Sequence, residues 1–152
     1  AGHCELTIEM GRFFASECGA YLTRVIDTKV NCGTAYAILD GGIHHVNYLG
    51  GNMGMRVPII RQSSVREGEM QPWALCGSLC TTADVLVRKA ELHPLDQGDI
   101  LAFMNIGAYS VTEGPALFLS RDMPSIILHG KDGDRLARGA VHSWELNHEG
   151  ER

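Results

Sequence analysis

Three short stretches carry side chains whose types and order could do chemistry. Glu9-Met10-Gly11-Arg12 sets a carboxylate, a residue without a side chain and a guanidinium in a row. A carboxylate can hold a proton on a ring nitrogen, glycine lets backbone N–H groups approach a phosphate, and arginine grips a carboxylate or phosphate through two parallel hydrogen bonds. Taken alone, the tetrad is more plainly an ordinary strand end with a surface ion pair. Cys76-Gly77-Ser78-Leu79-Cys80-Thr81-Thr82-Ala83-Asp84 brings two thiols close in sequence. That spacing could form half a zinc site, but no second Cys or His pair completes it, so no metal is expected. Cys76 reads as a small buried hydrophobe, whereas Cys80 falls in a Gly/Ser/Thr-rich turn from which a thiol can reach a ligand or a neighbouring subunit. In Gly107-Ala108-Tyr109-Ser110 the tyrosine follows two small residues and could project its hydroxyl toward an anion, though a core tyrosine satisfied locally is the plainer reading.

Two further pairs invite metal readings and resist them. Adjacent side chains of an extended segment face opposite ways, so His44-His45 could not easily share one ion. Asp132-Gly133-Asp134 is too short for a calcium loop and fits a hairpin turn.

The elements that must position these groups read as strands. Short runs with alternating or β-branched residues span 5–9, 20–30, 35–39, 73–76, 100–104, 125–129 and 135–141, punctuated by 18 glycines across the chain. Asn31-Cys32-Gly33-Thr34 and Gly130-Lys131-Asp132-Gly133-Asp134 are rich in residues that tolerate φ > 0, which predicts a β-hairpin at each. Residues 81–89 are the one helical candidate, but Val85-Leu86-Val87 in succession suits a strand equally well. Residues 44–54 and 62–71 read as loops. The expected fold is therefore mainly β, an antiparallel β-barrel or sandwich with room for one short helix.

Composition narrows the function classes. At 152 residues, 45% hydrophobic and 20% charged, the chain suits one folded domain and excludes disorder. With 13 basic against 18 acidic residues, net charge is -5, and the longest basic run is Arg88-Lys89, so neither nucleic acid nor any other phosphate backbone is an expected partner. No apolar run is long enough for a membrane helix. Five cysteines without a dense framework favour free thiols and a cytoplasmic setting. The opening Ala1-Gly2-His3-Cys4-Glu5 reads as neither a signal peptide nor a natural start, which suggests a piece of a longer chain.

In order along the chain, Glu9-Met10-Gly11-Arg12, Ala37-Ile38-Leu39-Asp40-Gly41-Gly42, Cys76 to Asp84, Gly98-Asp99 and Gly107-Ala108-Tyr109-Ser110 together resemble the C-terminal β domain of the fold-type III, pyridoxal-phosphate-dependent amino-acid decarboxylases. The diaminopimelate decarboxylase branch is the nearest likeness. That resemblance implies a preceding (β/α)8 barrel bearing the cofactor lysine, a homodimer with shared active sites and a small amino-acid substrate. Residues 1–12 would end the barrel, 13–147 form the β domain and 148–152 fray. It also implies roles. Glu9 would face the pyridine nitrogen, Gly11 and Arg12 the cofactor phosphate or substrate carboxylate, and Tyr109 the phosphate. Cys80 would reach into the partner's site as a proton donor or substrate-positioning group, and Asp84 would lie in the same substrate-facing motif. Without the lysine, the isolated chain should be inert.

The departures bear on substrate. Diaminopimelate decarboxylases usually carry Glu after the cysteine and an Arg-Pro-x-x-Tyr stretch after Asp-Gly-Gly, whereas this chain has Thr81 and Ile43-His44-His45-Val46-Asn47-Tyr48. A zwitterionic distal end would go unpaired there. The expected substrate is thus an amino acid with a neutral or tethered distal end, or an aminoacyl group on a carrier, with Arg56 or Arg61 the fallback cations for a distal carboxylate. From another class comes the alternative of a catalytically inactive dimerisation domain, which need not keep Glu9, Arg12, Cys80 and Tyr109 together.

Overall fold

A computed structural model describes residues 4–47 and 57–147. Six strands form the main sheet: β1 Ala20–Asn31, β2 Thr34–Leu39, β3 Ile60–Gln62, β4 Gln71–Cys76, β5 Val85–Leu92 and β6 Ile100–Met104, in the order β3-β6-β1-β2-β4-β5. The sheet curls into a half-barrel. A separate hairpin pairs β7 Ile126–Gly130 with β8 Gly133–Arg138.

Strand β1 organises the sheet because it is long enough to serve two neighbours. Its first half, Ala20 to Arg24, pairs with β6, and from Val25 onward it pairs with β2, with the register slipping between Val25 and Asp27. A bulge of this kind strengthens local twist and bends the strand. Alternation follows the pleat: Tyr21, Thr23 and Val25 point inward and their neighbours outward. The inward faces converge on Val25, Leu39, Leu75, Val87, Leu101 and Phe103, each at most 2% exposed. Burying each such side chain contributes roughly 1.5–3 kcal/mol.

One pairing decides where function can gather. β2 and β4 run parallel, with Ile38 beside Cys76, whereas all other pairings are antiparallel. The chain leaving β2 and the chain leaving β4 therefore emerge at the same end of the sheet. β1 runs opposite to β2 and β6, so its start and the end of β6 lie there too. The stretches around Arg12, Asp40, Cys80 and Tyr109 are brought to one rim by strand direction alone.

Both predicted hairpins form. Cys32 and Gly33 have φ of +48° and +76°, the paired positive values a two-residue turn between twisted strands requires. Gly133 has φ of +103° in the second hairpin. Residues 81–89 form no helix: the Val-Leu-Val run enters β5 and pairs with β4. The short helix lies instead at α1, Gly11–Ala15, followed by a 3-10 turn at Ser16–Cys18. The predicted strand over 5–9 is also corrected, because no described strand lies beside that segment to complete its ladder, and it runs irregular and exposed. Residues 48–56, which include Arg56 and most of the predicted glycine loop, and the predicted frayed tail 148–152 lie outside the described residues. Among those described, no helix is long and apolar enough to cross a membrane.

Candidate functional site

The rim holds two clusters. In the first, the 3-10 turn that follows α1 docks on the loop leaving β6: Gly107 N–H donates to the Ser16 carbonyl at 2.9 Å and Ile106 N–H to the Gly19 carbonyl at 3.1 Å. A Cβ on Gly107 would strike the Ala15 carbonyl and one on Gly19 would strike the Gly107 backbone, so both glycines are required by close approach. This docking brings Arg12 to Tyr109. The guanidinium donates to the Ala108 carbonyl at 3.2 Å, lies 3.5 Å from the Glu113 carboxylate and stacks 5.1 Å from the tyrosine ring centre. Gly11 lies directly beneath the Tyr109 hydroxyl, where any Cβ would collide with it. Tyr109 has φ of +63° and is 54% exposed. A bulky residue in the left-handed region is strained, and the turn that imposes it is closed by Thr112 and Glu113 N–H groups donating to the Tyr109 carbonyl at 2.8 and 3.0 Å.

In the second cluster Asp84, 2% exposed, accepts N–H hydrogen bonds from Leu79 at 2.8 Å and Ile43 at 2.9 Å. Gly42 and Gly77 press against its carboxylate so closely that neither position has room for a Cβ. Ser78 N–H donates to the Gly41 carbonyl and its hydroxyl to the Asp40 carbonyl, at 2.8 and 3.1 Å. The turn carrying Cys80 is thus pinned on both sides while Cys80 itself is exposed. Asp84 was expected to face substrate; its carboxylate instead faces the backbone of two loops. Burial raises the Cys76 thiol pKa, in keeping with a hydrophobic role.

Glu9 is exposed, and no described element fixes its direction. Gly11, Arg12 and Tyr109 are brought together; Cys80 and Asp84 share a separate turn at the same rim.

Sequence reasoning missed a third group. Residues 43–45 form a turn rather than an extended segment, so the rings of His44 and His45 lie 4.1 Å apart instead of on opposite faces. Tyr21 hydroxyl meets His45 Nδ1 at 2.9 Å, and His45 Nε2 meets the Asp122 carbonyl at 2.9 Å. Since a carbonyl only accepts, Nε2 carries the proton and Nδ1 of the neutral ring accepts from the tyrosine. Burial, His45 and Arg121 push His44 down to about 4. Arg121 arrives from the long irregular segment after Tyr109, where no periodicity marks it, and donates to the Ser78 hydroxyl at 2.8 Å.

The family model described as pyridoxal-dependent decarboxylase, C-terminal sheet domain, matches residues 13–107. The chain belongs to that family. Among curated relatives, an L-glutamyl-[BtrI acyl-carrier protein] decarboxylase from Niallia circulans is 31% identical over 86% of this chain and 32% of its own length. A diaminopimelate decarboxylase from Methanocaldococcus jannaschii is 28% identical over 88% of this chain and 30% of its own. The solved structure of M. jannaschii diaminopimelate decarboxylase in co-complex with L-lysine superposes with a TM-score of 0.80 at 25% identity, covering 93% of this chain and 32% of that one. The chain therefore spans about a third of these pyridoxal-dependent decarboxylases.

Among the described residues, the corner formed by Gly11, Arg12 and Tyr109 suits the phosphate end of such a cofactor. Gly11 brings backbone close to the Tyr109 hydroxyl, the tyrosine is exposed, and the adjacent guanidinium keeps donors beyond those engaged by the Ala108 carbonyl and Glu113.

Proposed function

We propose that the full-length protein is a homodimeric, pyridoxal-phosphate-dependent amino-acid α-decarboxylase whose active site this domain completes. The observation supporting it most is the meeting of Arg12 and Tyr109: the resemblance assigns Tyr109 to the cofactor phosphate and Arg12 to that phosphate or the substrate carboxylate, and the two are far apart in sequence and in contact in space. When bound, pyridoxal phosphate supplies a conjugated pyridinium that accepts the electron pair left by departing CO2. Glu9 would hold the proton on its ring nitrogen, and Gly11, Arg12 and Tyr109 would bind its phosphate. Arg12, already shared between the Ala108 carbonyl and Glu113, keeps donors for a carboxylate. Cys80 would donate a proton to the carbon that loses CO2, across the subunit boundary. Asp84 acts by positioning: with Leu79 and Ile43 tied to one carboxylate, the turn presents Cys80 in a fixed direction. Residues 1–12 would close the preceding barrel, and the cofactor lysine would lie outside this chain, which alone would be inert.

A carrier-bound aminoacyl substrate is the favoured reading within this class. Thr81 gives no carboxylate to a distal ammonium, and a relative at 31% identity is named for decarboxylating a glutamyl group on an acyl-carrier protein. Steady-state assays of the full-length protein across diaminopimelate, lysine, ornithine, arginine and glutamyl thioesters test this. The glutamyl thioester is expected to give the highest kcat/KM; by far the highest value for diaminopimelate would overturn the substrate reading, and no decarboxylation of any of them would overturn the activity.

A further inference from the structure

The chain leaving β2 and the segment after Tyr109 enclose an open cavity of about 390 Å³, lined by Asp40, His44, His45, Ser120, Arg121 and Asp122. That volume suits a small polar ligand. It adjoins the turn that carries Cys80, because Arg121 on its wall donates to Ser78 and Ser78 donates onward to Asp40.

The charges on the wall are unequally engaged. Asp40 accepts from the Thr23 hydroxyl at 2.6 Å and the Arg24 N–H at 2.9 Å through one oxygen. Asp122 is held by His142 Nδ1 at 2.9 Å, and that contact raises the His142 pKa. Arg121 has no carboxylate within ion-pair distance among the described residues, and its one side-chain hydrogen bond among them goes to a neutral hydroxyl. Most of its five donors remain open. His44, 1% exposed, adds a buried Nδ1 with no hydrogen-bond partner among the described residues. That atom is closed off from the cavity, so His44 shapes the wall and reports on it without touching the ligand.

We infer that this cavity is an anion subsite in which Arg121 receives a carboxylate or phosphate oxygen at the far end of the substrate. Resting on the decarboxylase reading, this completes the substrate preference: Thr81 denies a distal ammonium its partner while Arg121 offers one to a distal anion. Such an anion could be the free carboxylate of a dicarboxylic side chain or the phosphate of a carrier's pantetheine arm.

The probes are glutarate, 4′-phosphopantetheine and 1,5-diaminopentane, titrated into this chain with the ring signals of His44 and His45 followed by NMR. At least one anion is expected to shift both rings saturably, with Kd weakened about tenfold or more in Arg121→Gln and partly restored in Arg121→Lys. The stronger anion identifies the source. Tighter binding of the diamine, or anion binding unchanged by Arg121→Gln, would overturn the subsite. Should Arg121→Gln perturb the fold, Ser78→Ala, which frees the guanidinium without removing its charge, must still bind the anion; loss of binding in that variant would also overturn it. In the full-length enzyme Arg121→Gln should raise KM for the anionic-tailed substrate about tenfold with kcat within twofold. A protein with no decarboxylase activity would sink the function while leaving the titration free to stand or fail by itself.

Discussion

The turn behind Cys80 and the corner formed by Arg12 and Tyr109 lie at the same rim and are built in opposite ways. Asp84 is 2% exposed and both its oxygens receive backbone N–H groups. Tyr109 is 54% exposed, sits at φ of +63°, and its hydroxyl has no hydrogen bond among the described residues. One region has used its polar groups to hold shape; the other holds polar groups out at a conformational cost of about 1–3 kcal/mol. Saturated polar chemistry marks a support, and strained, unsaturated chemistry marks a surface waiting for something to bind.

The largest test of that contrast is Asp84→Ala. Removing the acceptor strands two N–H groups, so stability should fall by about 2–5 kcal/mol in urea unfolding. A loss under about 1 kcal/mol would mean the carboxylate does not hold the turn. Gly77→Ala should cost about 1–3 kcal/mol for a different reason, since its methyl collides with the same carboxylate.

Protonation gives the next effect. His44 falls from the ordinary 6.5 to about 4 on folding, so between those values the unfolded chain binds a proton that the folded chain refuses. Stability should therefore decline as pH drops from 6.5 toward 4. His142 works in the opposite sense: its raised pKa adds stability below its unfolded value that is lost as pH rises through the folded one. Being at the surface, it should contribute less. Urea midpoints across this range should slope with the sign His44 dictates, and His44→Gln should flatten the slope; an unchanged slope would show the ring is not the titrating group.

The smallest expected effect on stability is at the open corner. Glycine accepts φ of +63° without strain, so Tyr109→Gly should leave the chain within about 1 kcal/mol of its original stability, or above it. The full-length variant should nonetheless retain pyridoxal phosphate poorly, measured by cofactor absorbance after dialysis. Marked destabilisation with normal cofactor retention would reverse the roles assigned to the two regions.

Legibility in the sequence tracks how local each feature is. The hairpin at Cys32-Gly33 was readable because two adjacent residues carry the positive φ values themselves. Val85-Leu86-Val87 was ambiguous, and only pairing with β4 made it a strand. β3 is three residues long and α1 five, too short to leave a period. Gly11, Arg12, Cys80 and Tyr109 could be nominated from their motifs, but their arrangement could not, because it depends on the parallel β2–β4 pairing and the docking of the turn that follows α1. Asp84 was found and its direction misjudged, since an acidic side chain in a polar turn gives no sign of facing inward. Arg121 was missed outright: it comes from an irregular segment that reaches the rim only through long-range contacts.

In the proposed enzyme this domain completes an active site shared across a dimer, with Cys80 as its proton-donating contribution. That sharing is tested most directly by mixing full-length Cys80→Ala with a full-length variant lacking the cofactor lysine, each inactive or nearly so alone. Loss of a general acid lowers kcat by about 10²–10⁴, so recovery should stand clear of background. Hybrid dimers carrying one intact site should restore part of the activity, rising with the hybrid fraction. No recovery despite demonstrated subunit exchange would place Cys80 outside a shared site.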